Sequence, residues 1–188
     1  MTYSIVVVDP PWPFKDKLAG PKRGAAMHYK LMSMQDIYDF PTKREVTFAP
    51  DALLFMWRVA SMVPEAMATC KAWGFVPKSE IVWVKTSVSK KAESSLAFGM
   101  GRYVRNCHEV CIIAARPKAV RLIKKLNVRS VFFAPVGRHS AKPQAFYDLV
   151  ENLTGEPNPE RNIDIFGRKK RSGWTVIGDE VVNEMEMG

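Results

Sequence analysis

The sequence predicts an α/β fold, one sheet with helices on both faces, organised as a single domain over residues 1–188. Three observations predict it. Short apolar runs rich in β-branched and aromatic residues alternate with segments of helical character. No internal repeat appears, which excludes solenoids and propellers. The 188 residues are 47% hydrophobic and 25% charged, ordinary values for a domain that buries a core without disulfide or metal staples.

The first strand is expected at residues 3–8, where Ile5-Val6-Val7-Val8 is apolar without alternation and so suits a strand buried on both faces. Residues 9–31 show no period and are punctuated by Pro10, Pro11, Pro13, Gly20, Pro21 and Gly24. A long loop inside a compact domain points to function. Ser33 is placed to cap a short helix that Pro41 should stop. A second strand comes next at 52–57. Pro64 then opens a helix that Gly74 closes. Strands are expected at 75–85, 110–115, 131–133, 162–166 and 174–177, with a helix opened by Pro143 and apolar on one side. Residues 87–101, rich in Ser, Lys, Ala and Gly, read as a loop. In such sheets ligands bind beyond the strand C-termini, so chemistry is expected on the residues just after each strand.

Lys and Arg number 28 against 19 Asp and Glu, a net charge of +9 that suits a polyanionic partner such as nucleic acid. Basic residues collect after Trp12 (Lys15, Lys17, Lys22, Arg23), in 87–101 and in 116–129. No run approaches the ~20 apolar residues of a membrane helix. Cys70, Cys107 and Cys111 form no CxxC pair and read as reduced thiols; no zinc-type ligand spacing occurs, so no metal is expected.

Asp9-Pro10-Pro11-Trp12 lies directly after the first strand. Two prolines stiffen the backbone and remove two donors, leaving acceptors beside a carboxylate and an indole. The Asp9 carboxylate and the Pro10 carbonyl could each accept one hydrogen of an exocyclic amine while Trp12 stacks on its ring. The lone pair of such an amine is delocalised, and two acceptors that pull the nitrogen toward tetrahedral geometry act mainly in the transition state.

This tetrapeptide at a strand end resembles the signature of the N6-adenine methyltransferases, in the form found in the mRNA adenosine methyltransferase catalytic-subunit family and its bacterial and phage relatives. Further similar blocks are His28-Tyr29-Lys30-Leu31-Met32-Ser33-Met34, Leu54-Phe55-Met56-Trp57, Glu80-Ile81-Val82-Trp83-Val84-Lys85, Gly101-Arg102-Tyr103-Val104-Arg105-Asn106-Cys107-His108-Glu109, His139-Ser140-Ala141-Lys142-Pro143, Ile163-Asp164-Ile165-Phe166-Gly167-Arg168 and Gly173-Trp174-Thr175-Val176-Ile177-Gly178-Asp179-Glu180. The resemblance implies a Rossmann-like methyltransferase sheet in permuted motif order, with S-adenosylmethionine as cofactor. It also implies adenine in nucleic acid as acceptor, DNA favoured and RNA the alternative. A non-catalytic nucleic-acid-binding subunit is the rival reading.

By the same resemblance Asp9, Pro10, Pro11 and Trp12 are catalytic. Asp9, Lys142, Phe166, Gly167, Arg168, Asp179 and Glu180 face the cofactor, the last two at its ribose. Trp12, Tyr29, Lys85 and Glu109 face the substrate. Read from the residues themselves, Tyr103 with Arg102 and Arg105 offers stacking beside charge, which suits an unpaired or flipped base as substrate. A homodimer or partner subunit is expected, and a cytoplasmic location in a bacterial or phage-infected cell.

Overall fold

The computed structural model describes residues 1–13, 31–87, 96–99, 101, 103–137 and 141–178. Its centre is a seven-stranded sheet formed by β1 (Thr2–Val8), β2 (Thr47–Arg58), β3 (Val76–Thr86), β4 (His108–Ala115), β5 (Val131–Pro135), β6 (Asn162–Ile165) and β7 (Thr175–Ile177). The order across the sheet is β5-β3-β4-β2-β1-β6-β7. Only β4 runs antiparallel to its neighbours; the other four pairings are parallel. All seven expected strands are present in the expected order along the chain.

The apolar run of β1 is explained by its central place. Ile5 and Val7 project into the core shared with Phe146 and Val150, while Val6 and Val8 project into the core shared with Ile37 and Ala66. All four are at most 1% exposed. Burying each such side chain contributes about 1.5–3 kcal/mol. The first core is covered by α3 (Gln144–Thr154), the second by α1 (Met34–Lys43) and α2 (Val63–Ala72). Helices therefore flank both faces, as the alternation predicts. Short 3₁₀ turns occur at Ala60–Met62 and Ala119–Leu122.

Ser33 caps α1 by accepting the Asp36 N–H at 3.1 Å. The helix does not stop at Pro41, however, but runs through it to Lys43. Proline cannot donate to the Ile37 carbonyl four residues back. The Trp73 indole N–H supplies the missing donor, 3.1 Å from the Ile37 oxygen. A tertiary contact thus satisfies the acceptor that the sequence orphans. After α2, Gly74 takes φ +78°, and Phe75 N–H donates to the Cys70 carbonyl at 2.8 Å, closing the helix as expected.

Strand direction decides what the site contains. The C-terminal ends of β1, β2, β3, β5, β6 and β7 share one end of the sheet with the N-terminus of β4. Successive strands step outward from β1 to β2 on one side, and from β6 to β7 on the other. The residues after β1 and β6 therefore flank a switch point, where open α/β sheets bind ligands. The basic run 116–129 leaves β4 at the opposite end. Its first member is not solvated either: the Arg116 guanidinium donates to the carbonyls of Phe48 and Trp73, each at 2.9 Å. That run therefore does not border the residues after β1. No helix among the described residues is long and apolar enough to cross a membrane.

Candidate active site

Val8 pairs with Ile165, so Asp9 and Phe166 leave adjacent parallel strands side by side. Asp9 is half-buried. Lys142, just before α3, donates to its Oδ2 at 2.7 Å. The same ammonium lies 3.1 Å from Glu109 Oε2, and Glu109 Oε1 is 2.5 Å from Lys85 Nζ. Four charges thus alternate in a chain, Asp9–Lys142–Glu109–Lys85, across the end of the sheet where β1, β2 and β3 finish and β4 begins. The Lys142 side chain is only 8% exposed and sits 5.1 Å over the Trp57 ring.

Burial alone would lower the affinity of Lys142 for its proton. The Asp9 and Glu109 carboxylates outweigh that and hold it above the ordinary lysine value. Burial raises Glu109, but Lys142 and Lys85 together bring it below the usual carboxylate value. Lys142 is therefore held as a cation between the Asp9 and Glu109 carboxyl groups.

The tetrapeptide backbone folds as a tight turn: Trp12 N–H donates to the Pro10 carbonyl at 2.8 Å, and Met32 N–H to the Pro11 carbonyl at 3.0 Å. The Pro10 oxygen keeps a second lone pair. Trp12 corrects the expectation from sequence. It is 2% exposed, belongs to the core shared with α1 and α2, and donates its indole N–H to the Trp57 carbonyl at 3.1 Å. A ring so enclosed has no face to offer a base. It anchors the turn instead.

A cavity of about 120 Å³ opens beside this chain, lined by Asp9, Lys142, Asp164, Phe166, Gly167 and Arg168 among others. Phe166 has φ +62°, a left-handed conformation uncommon for a bulky residue, and its ring packs 4.3 Å from that of Phe40. Gly167 has no room for a side chain: a Cβ there would lie 2.5 Å from Val176 Cγ1 and 2.9 Å from the Asp164 carboxyl. Arg168 is half-buried against the cavity, whereas Lys169 and Lys170 are exposed, so the three cations are not one solvated run.

Sequence reasoning assigned no role to Asp164, Tyr147 or Trp57. Asp164 is 3% exposed and accepts the Tyr147 hydroxyl at 2.8 Å. Burial pushes its carboxyl up to about 7, against the pull of Tyr147 and Arg171. A carboxylate within the apolar run Ile163-Asp164-Ile165-Phe166 was the available signal, since buried acids are rare unless partnered.

Among the substrate-facing candidates, Lys85 and Glu109 belong to the ionic chain. Arg105 lies 5.1 Å from the Phe98 ring centre, and Tyr103 is fully exposed. Tyr29, Arg102, Asp179 and Glu180 lie outside the described residues, as do His139, most of the loop after Trp12 and most of 87–101.

The arrangement offers a fixed carboxylate with a free backbone lone pair beside it, and a cationic cavity at the adjoining strand end. Comparison with known proteins gives the same direction. Residues 3–180 match the MT-A70 family. The chain is 24% identical over 182 residues to the N(6)-adenosine-methyltransferase MT-A70-like protein of Drosophila melanogaster, covering 95% of this chain and 27% of that protein. It is 23% identical over 185 residues to N(6)-adenosine-methyltransferase MT-A70-like of Arabidopsis thaliana, covering 96% and 24%. Against the human N(6)-adenosine-methyltransferase catalytic subunit METTL3 it is 23% identical over 184 residues, covering 95% and 28%. The chain spans about a quarter of the length of these curated relatives. With a match running from β1 past the end of β7, through Asp9, Glu109, Lys142 and Phe166, this chain belongs to the MT-A70 family.

Proposed function

We propose that this chain transfers a methyl group from S-adenosylmethionine to the N6 amine of adenine in nucleic acid. The observation that carries the reading is the placement of Asp9 and the Pro10 carbonyl next to a cationic cavity at the sheet's switch point. The cofactor supplies the electrophilic methyl group. Asp9 and Pro10 accept hydrogen bonds from the two amine N–H groups and localise the nitrogen lone pair as attack begins. The methylated amine then releases one of those protons to solvent. Lys142 holds the Asp9 carboxylate in position and offers its charge to a cofactor carboxylate, and Asp164 offers the cofactor ammonium a partner. The 120 Å³ cavity suits the amino-acid end of the cofactor only. The ribose falls to Asp179 and Glu180, and Arg168 faces the cofactor beside Gly167. Tyr29, Arg102, Tyr103 and Arg105 address the nucleic acid, with Glu109 and Lys85 bracing Lys142 behind the target base.

The relatives' names specify adenosine, a ribonucleoside, and so support an RNA acceptor over the DNA preference drawn from sequence alone. A bacterial or phage origin has no support among them. One relative is named a catalytic subunit, which favours a partner chain over action alone. The deciding experiment incubates the protein with radiolabelled S-adenosylmethionine and matched RNA, single-stranded DNA and duplex DNA, then identifies product nucleosides. N6-methyladenosine in RNA is expected. Cofactor binding without transfer to any of them overturns the proposed acceptor; no cofactor binding favours a non-catalytic subunit.

A further inference from the structure

Two aromatic rings stand in solvent at the same end of the sheet as Asp9, and the ionic chain has no use for either. Phe98 is 79% exposed and Tyr103 fully exposed, with Leu96 and Val104 also uncovered beside them. These are costly groups to leave in water, and they do not lie on a loose excursion of the chain. Leu96 bridges to Thr86 at the end of β3, and Ala97 N–H donates to the Lys85 carbonyl at 2.8 Å. Lys85 N–H in turn donates to the Cys107 carbonyl at 2.8 Å. A side chain on Gly99 would collide with the Asn106 backbone, and one on Gly101 with the Val104 carbonyl. The segments carrying Phe98 and Tyr103 are therefore fitted closely to each other and to the end of β3.

Arg105 supplies the second element. Its guanidinium lies 5.1 Å from the Phe98 ring centre and donates to the Gly101 carbonyl at 3.3 Å. It sits over one face of the ring with its charge still exposed. An exposed ring with a cation over one face matches what unpaired nucleotides need: the opposite π-face for the base and a positive charge for the phosphate. Duplex bases are already stacked on one another and cannot use such a ring. Apolar contact with another protein would explain the exposed rings but not an arginine kept against one of them, in a chain carrying a net charge of +9.

We propose that Phe98, Arg105 and Tyr103 form a stacking platform for unpaired nucleotides flanking the target adenine, so that single-stranded nucleic acid is the form this chain engages. The inference rests on the reading of nucleic acid as acceptor and narrows it. Lys85 joins the two sites: its backbone holds the platform segment, and its ammonium ends the ionic chain that leads through Glu109 and Lys142 to Asp9.

The test measures anisotropy of a fluorescein-labelled twelve-nucleotide (about one platform plus flanks) adenine-containing single strand, and of its duplex, with the full chain and no cofactor. Phe98→Ala is expected to weaken single-strand binding roughly five- to a hundredfold, the range for losing one stacked base. Duplex affinity and cofactor affinity by calorimetry stay unchanged. Phe98→Trp restores single-strand binding and Phe98→Leu does not. Binding preserved by Phe98→Leu, or an equal loss on duplex, overturns the platform. So does a wild-type dimer in sedimentation velocity that Phe98→Ala converts to monomer, which makes the patch an interface between copies. Methyl transfer assayed alongside separates the two ideas: binding lost with Phe98→Ala while no variant methylates sinks the reaction and keeps the platform.

Discussion

Asp164 makes the pH dependence of stability a test of how the site is built. In an unfolded chain its carboxyl has the ordinary value of 3.8; in the fold, burial raises it to about 7. Well below pH 4 both states hold the proton and the group contributes nothing. Between pH 4 and 7 the unfolded chain has released the proton while the folded chain keeps it, so stability falls as pH rises. Above about pH 7 the loss levels off. At ~1.36 kcal/mol per unit the loss is about 1–2 kcal/mol at pH 5 and about 4 kcal/mol at pH 8. Asp164→Asn keeps an acceptor for the Tyr147 hydroxyl and never ionises. Urea unfolding at both pH values should show wild type losing about 2–3 kcal/mol more than the variant between pH 5 and 8, or about 5–10 °C in Tm. Parallel losses in the two proteins would refute the assignment of a high value to Asp164. Cofactor affinity carries the complementary sign. An ammonium seated against Asp164 favours the ionised form, so affinity should rise from pH 6 to 8 in wild type and stay flat in the variant.

Other substitutions separate roles within the site. Lys142→Met leaves Asp9 and Glu109 without their shared cation; a cost of about 3 kcal/mol in denaturant melts is expected, with cofactor binding lost in calorimetry. Asp9→Asn should cut methyl transfer by about a hundredfold or more while cofactor affinity by calorimetry changes less, and transfer near wild-type rate would remove Asp9 from the mechanism. Gly167→Ala drives a methyl against Val176 and Asp164; about 1–3 kcal/mol of stability and measurable cofactor binding should both go. Trp12→Phe removes the donor to the Trp57 carbonyl and should cost about 1–2 kcal/mol in stability, with acceptor KM unchanged; a large rise in KM would return Trp12 to base stacking.

Strand number, their succession along the chain and the flanking helices were legible because apolar runs and their Gly and Pro boundaries are local signals. Ile5-Val6-Val7-Val8 announces a strand buried on both faces without reference to anything else in the chain. Pro41 shows the limit of such reading: the orphaned Ile37 carbonyl is a local fact, but its rescue by Trp73, thirty-six residues away, is not. Trp12 is a similar case. An indole after two prolines reads equally as a stacking ring or an anchor, and only the packing of α1 and α2 over β1 and β2 assigns it to the core.

By itself, then, the sequence determined the strands, the tetrapeptide after β1 and the family to which they belong, because each lies in contiguous residues. The tertiary structure decided which charges meet. Asp9, Lys85, Glu109 and Lys142 come from four separate segments, and the antiparallel direction of β4 brings the start of that strand, with Glu109, to the end where the parallel strands finish. The same direction carries the basic run after β4 to the far end of the sheet, away from Asp9. Chain direction within a sheet is a long-range property, fixed by which strands pair, and no local pattern of residues encodes it.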